Sequence, residues 1–107
     1  MSETSPGKEQ LLAILSKAIA GGADSVTMEY DSGHALEVCF NIGNSGAGFA
    51  LDRGPGGELR DAVYEEKKKG RGKMRVSVNG KSYLVQIKTY ESFGEMAYRL
   101  TFREAKR

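Results

Sequence analysis

The chain has 107 residues and a formal net charge of +2, with 39% hydrophobic and 28% charged residues. That is enough for one hydrophobic core and too little for two. The charge is too small to mark the whole chain as a nucleic-acid or membrane binder. No run approaches the ~18 apolar residues of a membrane span, and the polar opening MSETSPGKEQ does not read as a secretory signal. The expectation is a cytoplasmic protein with no membrane insertion. Cys39 is the one cysteine, set between Val38 and Phe40, so an internal disulfide is excluded. With a single histidine and no second cysteine, a structural thiol is the simpler reading than a nucleophile or metal ligand.

In chain order, residues 1–8 read as a flexible N-terminal segment, 9–103 as the single domain and 104–107 as a polar tail. Ser5-Pro6 resembles a helix cap followed by proline at the first helical position. Leu11, Leu12, Ile14, Leu15, Ala18 and Ile19 follow at helical spacing, and Gly21-Gly22 end the helix. Ser25–Tyr30 and Leu36–Ile42 alternate apolar and polar residues, as half-buried strands do, around turn residues Asp31-Ser32-Gly33-His34. Residues 43–57 hold many of the 14 glycines and predict a long mobile loop with a short edge strand at Phe49-Ala50-Leu51.

A second helix is predicted from Glu58 to about Lys69, with Leu59, Ala62, Val63 and Tyr64 inward and Lys67-Lys68-Lys69 at its C-terminal end, where cations suit the helix dipole. Three strands close the chain. Asn79-Gly80 marks a tight hairpin between the first two. Glu91-Ser92-Phe93-Gly94-Glu95 reads as a loop before the strand Met96–Arg103. The fold class expected is α+β, a two-layer α/β sandwich with a mainly antiparallel sheet and the order α-β-β-(β)-α-β-β-β.

Catalytic constellations are missing. Gly70-Arg71-Gly72-Lys73 lacks the phosphate-loop spacing and follows a helix instead of a strand. His34 falls in a turn, with no nucleophile marked beside it. Asp24, Glu29 and Asp31 could converge on a metal, but alternation along a strand edge is the simpler account. The chain is therefore expected to be no enzyme and to need no cofactor. Lys67, Lys68, Lys69, Arg71, Lys73 and Arg75 do concentrate positive charge, and with Tyr64 and Tyr83 nearby they suggest a nucleic-acid or anionic-partner site.

Several phrases resemble one known module. Gly22-Ala23-Asp24-Ser25-Val26-Thr27-Met28-Glu29-Tyr30, Val38-Cys39-Phe40-Asn41-Ile42-Gly43, Tyr83-Leu84-Val85-Gln86-Ile87 and Gly94-Glu95-Met96-Ala97-Tyr98-Arg99-Leu100 follow one another as in the small PAS-like N-terminal domain of type II secretion and type IV pilus ATPases. The resemblance spans about Leu11 to Phe102 by element order. It implies a PAS-like fold and a regulatory, protein-contacting role. That family carries arginines toward nucleotide in the second phrase, where Cys39 and Asn41 stand here, and these 107 residues do not include the phosphate loop of a motor domain. The resemblance therefore implies a relative that does not bind ATP. A protein partner is the leading expectation, through loop 43–57, the open sheet face and residues such as Phe49, Phe93, Glu95 and Arg99. The rival readings are nucleic-acid binding through 67–75 and a small-ligand sensor. Self-pairing into a homodimer, through the strand near Phe49 or the last strand, is a further expectation.

Overall fold

A computed structural model describes residues 5–30, 35–92 and 94–105. The turn assigned to Asp31–His34 and the contact assigned to Phe93 lie outside the described residues. The order is α1 (Pro6–Ala20), β1 (Ser25–Tyr30), β2 (Leu36–Ile42), β3 (Ser45–Leu51), α2 (Arg53–Lys69), β4 (Lys73–Val78), β5 (Lys81–Ser92) and β6 (Glu95–Glu104). The strands form one six-stranded antiparallel sheet in the order β3-β2-β1-β6-β5-β4. The molecule measures 42 × 40 × 21 Å, a flat slab two layers deep.

Local chemistry explains the ends of the elements. Ser5 caps α1 by accepting a hydrogen bond at Oγ from the Lys8 N–H at 3.2 Å, and Pro6 opens the first turn. Asn79 and Gly80, with φ of 53° and 79°, form the tight turn between β4 and β5. Alternate strand residues point to opposite faces. Val26, Met28, Leu36, Val38, Val76, Val85, Ile87, Tyr98 and Leu100 are buried against Leu11, Leu15, Leu59 and Val63 of the helices. At roughly 1.5–3 kcal/mol for each fully buried large aliphatic side chain, this layer contact is the main favourable term.

The predicted loop over 43–57 is the largest correction. A tight turn at Gly43-Asn44 leads directly into the seven residues of β3, and α2 starts at Arg53, one and a half turns earlier than expected. Two of its glycines, Gly48 and Gly56, serve close packing. A Cβ on Gly48 would lie 2.5 Å from the Val38 carbonyl oxygen, and one on Gly56 would lie 3.0 Å from Leu36 Cβ. Pro55 is tolerated because it sits in the first turn, where its N–H would have no partner inside the helix.

Three smaller corrections follow. Tyr64 is 48% exposed, so the buried stripe of α2 stops at Val63. Ile42, expected on the inner face, is 49% exposed at the outer end of the β2–β3 ribbon. The loop expected at 91–95 is mostly strand, because β5 and β6 stay paired out to Ser92↔Glu95. Its polar residues read as a loop because that end of the ribbon runs past the core.

Candidate binding surface

Both helices pack on one face of the sheet. The opposite face is built by the other half of each strand, and the pairing register lays it out in rows. One row crosses all six strands: Gly46, Asn41, Ser25, Thr101, Gln86 and Lys73. Beside it runs Gly48, Cys39, Thr27, Arg99 and Lys88. On its other side, Leu84 stands between Arg103 and Arg75.

Charge is segregated along the strands. Lys73, Arg75, Lys88, Arg99 and Arg103 are all exposed on β4, β5 and β6. The salt bridges found among the described residues, Lys8–Glu66 at 3.1 Å and Lys81–Glu104 at 3.9 Å, involve none of them. A shallow depression of about 330 Å³ lies among these cations, lined by Lys73, Leu84, Gln86, Thr101, Phe102 and Arg103. At the other end of the same face, Glu37 stands opposite Glu29 and Glu95 opposite Ser92.

Glu29 is held in place. Tyr90 Oη donates to Glu29 Oε2 at 2.7 Å and Ser92 Oγ donates to Oε1 at 2.6 Å. The Ser92 hydroxyl, and then that of Tyr90, favour the carboxylate and move its pKa below the ordinary 4.5, against a smaller opposing effect of burial. Burial, then the hydrogen bond to Glu29, raises the Tyr90 phenol. Across the centre, Asn41 Nδ2 donates to Ser25 Oγ at 3.1 Å, and Cys39 Sγ donates to Asn41 Oδ1 at 3.4 Å. Cys39 is half-buried on this uncovered face, not in the core. Asp24 is engaged elsewhere, accepting from the Gly43 N–H at 2.8 Å, so it and Glu29 serve separate structural bonds.

The basic run read from the sequence is divided. Lys67, Lys68 and Lys69 end α2 in the helical layer, and Arg71 lies in the turn with a φ of 55°. Only Lys73 and Arg75 reach the uncovered face, by alternation along β4. Arg99 and Glu95 are on that face, at its basic and acidic ends. Phe49 is on β3, 41% exposed on the helix side, its ring 6.0 Å from that of Phe40 in an edge-to-face contact. Lys88 and Arg103 were missed in the sequence because each is a single cation far along the chain from the basic run. Period-two spacing on neighbouring strands was the signal that could have found them.

Among the described residues, no three His, Cys, Asp or Glu side chains are grouped to hold a metal ion, and no helix is long and apolar enough to cross a membrane. Comparison with protein-family models and with curated protein sequences finds no match.

Proposed function

We propose that this is a non-catalytic binding domain whose working surface is the uncovered face of β4, β5 and β6, and whose partner is a protein presenting an acidic patch. The observation that carries this reading is the set of exposed cations Lys73, Arg75, Lys88, Arg99 and Arg103 on three adjacent strands, with no salt bridge to any of them among the described residues. Like charges placed opposite one another across strands cost stability, and a fold gains nothing by keeping them unless something anionic covers them.

Two features favour a protein over a nucleic acid. Sheets that bind single strands stack bases on aromatic side chains. Among the described residues, Tyr90 is the aromatic side chain that strand alternation places on this face, and its hydroxyl is tied to Glu29. The basic area also ends at Glu29, Glu37 and Glu95, which fixes the orientation of a mixed-charge partner and repels a continuous phosphate chain. The arginines around Leu84 suit a protein contact, where arginine is enriched. The resemblance to the N-terminal domain of secretion and pilus ATPases supports a regulatory contact of this kind, without nucleotide.

Amide chemical-shift mapping tests the reading. A short peptide of alternating Glu and Asp, at low salt, should shift residues of β4, β5 and β6 and leave α2 unmoved. The double variant Lys88→Glu/Arg99→Glu should abolish the shifts. Tighter binding of a mixed single-stranded oligonucleotide at the same salt would replace the protein partner with nucleic acid. Silence toward both probes would remove the surface altogether.

A further inference from the structure

The two edges of the sheet differ in kind. Edge strands offer unpaired N–H and C=O groups, and proteins usually guard them with charge, proline or bulges. Edge strand β4, Lys73–Val78, carries Lys73 and Arg75. Edge strand β3, Ser-Gly-Ala-Gly-Phe-Ala-Leu from Ser45 to Leu51, carries no charge and no proline, pairs with β2 without a bulge, and is exposed from Ser45 through Ala50. Two of the four exposed large apolar side chains among the described residues lie on this ribbon, Ile42 at 49% and Phe49 at 41%.

From this contrast we infer that β3 is a self-pairing edge, joining antiparallel to β3 of a second copy so that two sheets become one. The occupant follows from the sequence of the strand. A two-fold contact sets each strand against itself, so a charged edge such as β4 brings like charges close, whereas β3 brings none. With Gly48 on the axis, Ala47 stands opposite Phe49 of the second copy, and Gly46 opposite Ala50. Phe49 then covers the small Ala47 side chain on the helix side, a large residue over a small one, while Phe40 supports it from behind. Asp52, the nearest charge, lands opposite Asn44. On the uncovered face the glycines at 46 and 48 leave the junction free of bulky side chains. The basic surfaces stay at the far edges of the joined sheet, so the inference does not depend on what binds them.

Sedimentation velocity over a wide range of protein concentration is the test. The wild-type chain should double its mass in the micromolar-to-millimolar range, as small interfaces do, and its β3 amides should gain protection from hydrogen exchange as it does so. Ala47→Lys and Ala50→Lys each place a bulky cation in the junction beside the axis, at an exposed position, and each should stay monomeric with an unchanged far-UV circular dichroism spectrum. A wild-type monomer throughout the range, or a dimer that survives both lysines, overturns the inference. Lys88→Glu/Arg99→Glu should leave the dimer intact, which separates this result from the fate of the proposed binding face.

Discussion

Lys88 on β5 stands directly opposite Arg99 on β6 on the uncovered face of the sheet, two exposed cations in register with no salt bridge to either among the described residues. Cross-strand pairs contribute roughly 0.2–1 kcal/mol, and like charges reverse the sign. The pair is thus a small stability cost held at the centre of the proposed contact surface. Proteins commonly carry such costs where function requires them.

Replacing Lys88 with Glu converts that repulsion into an attraction. Lys88→Glu should leave the urea midpoint unchanged or raise stability by up to about 1 kcal/mol, while weakening acidic-peptide binding. Equilibrium unfolding and a binding titration on the same variant check it. A variant that loses both together would give Lys88 a structural role instead.

The Glu29 carboxylate should make stability depend on pH at the acid end. Its folded pKa is lowered, so its contribution is full above the ordinary value of 4.5 and is lost as pH falls through the lower folded value. Tyr90, raised in the fold, acts in the opposite sense: its contribution is full below the ordinary 10.0 and is lost as pH rises toward the folded value. Glu29→Gln should flatten the acid limb of a stability–pH curve, and Tyr90→Phe the alkaline limb. Denaturant unfolding across pH 3 to pH 11, a range of about 8 units bracketing both ordinary values, reads both.

Two glycines should not tolerate even a methyl group. A Cβ on Gly48 would press on the Val38 carbonyl oxygen at 2.5 Å, and one on Gly7 would collide with the Glu58 carbonyl oxygen where α1 meets α2. Gly48→Ala and Gly7→Ala should each cost about 1–3 kcal/mol, the usual range for overpacking. Gly57→Ala meets nothing within 4 Å and is the control, with thermal melts as the readout.

Nucleotide binding should be absent. The proposed resemblance sets Cys39 and Asn41 at the positions of that family's arginines, and in this fold Cys39 bonds to Asn41 and Asn41 to Ser25. Calorimetric titration with magnesium ATP should give no binding heat.

The elements were legible wherever one face alternates with the other. Leu11 to Ala18 gave a helix, and Met74, Val76 and Val78 gave a buried strand face, because periodicity is a local signal. Residues 43–57 were misread because a glycine that lets two backbones approach looks, in sequence, the same as one that loosens a loop. Only Val38 beside Gly48 and Leu36 beside Gly56 tell them apart. The charged surface was half legible for a related reason. Lys67 to Arg75 are close in the chain yet split between layers, whereas Lys73, Lys88 and Arg103 are far apart in the chain and share a face. Which strands become neighbours is a tertiary fact that no single segment carries.

The central claim, an acidic protein partner on the face of β4–β6, is tested most directly by site-specific photo-cross-linking in cells that naturally make the chain. The cross-linker belongs at Gln86, between Thr101 and Lys73 on that face, with a control at Glu65 on the outer side of α2. The account predicts one discrete protein adduct from Gln86, absent from Glu65 and lost with Arg99→Glu, whose contacting surface is acidic. Adducts to nucleic acid, or the same adduct from both positions, would contradict it.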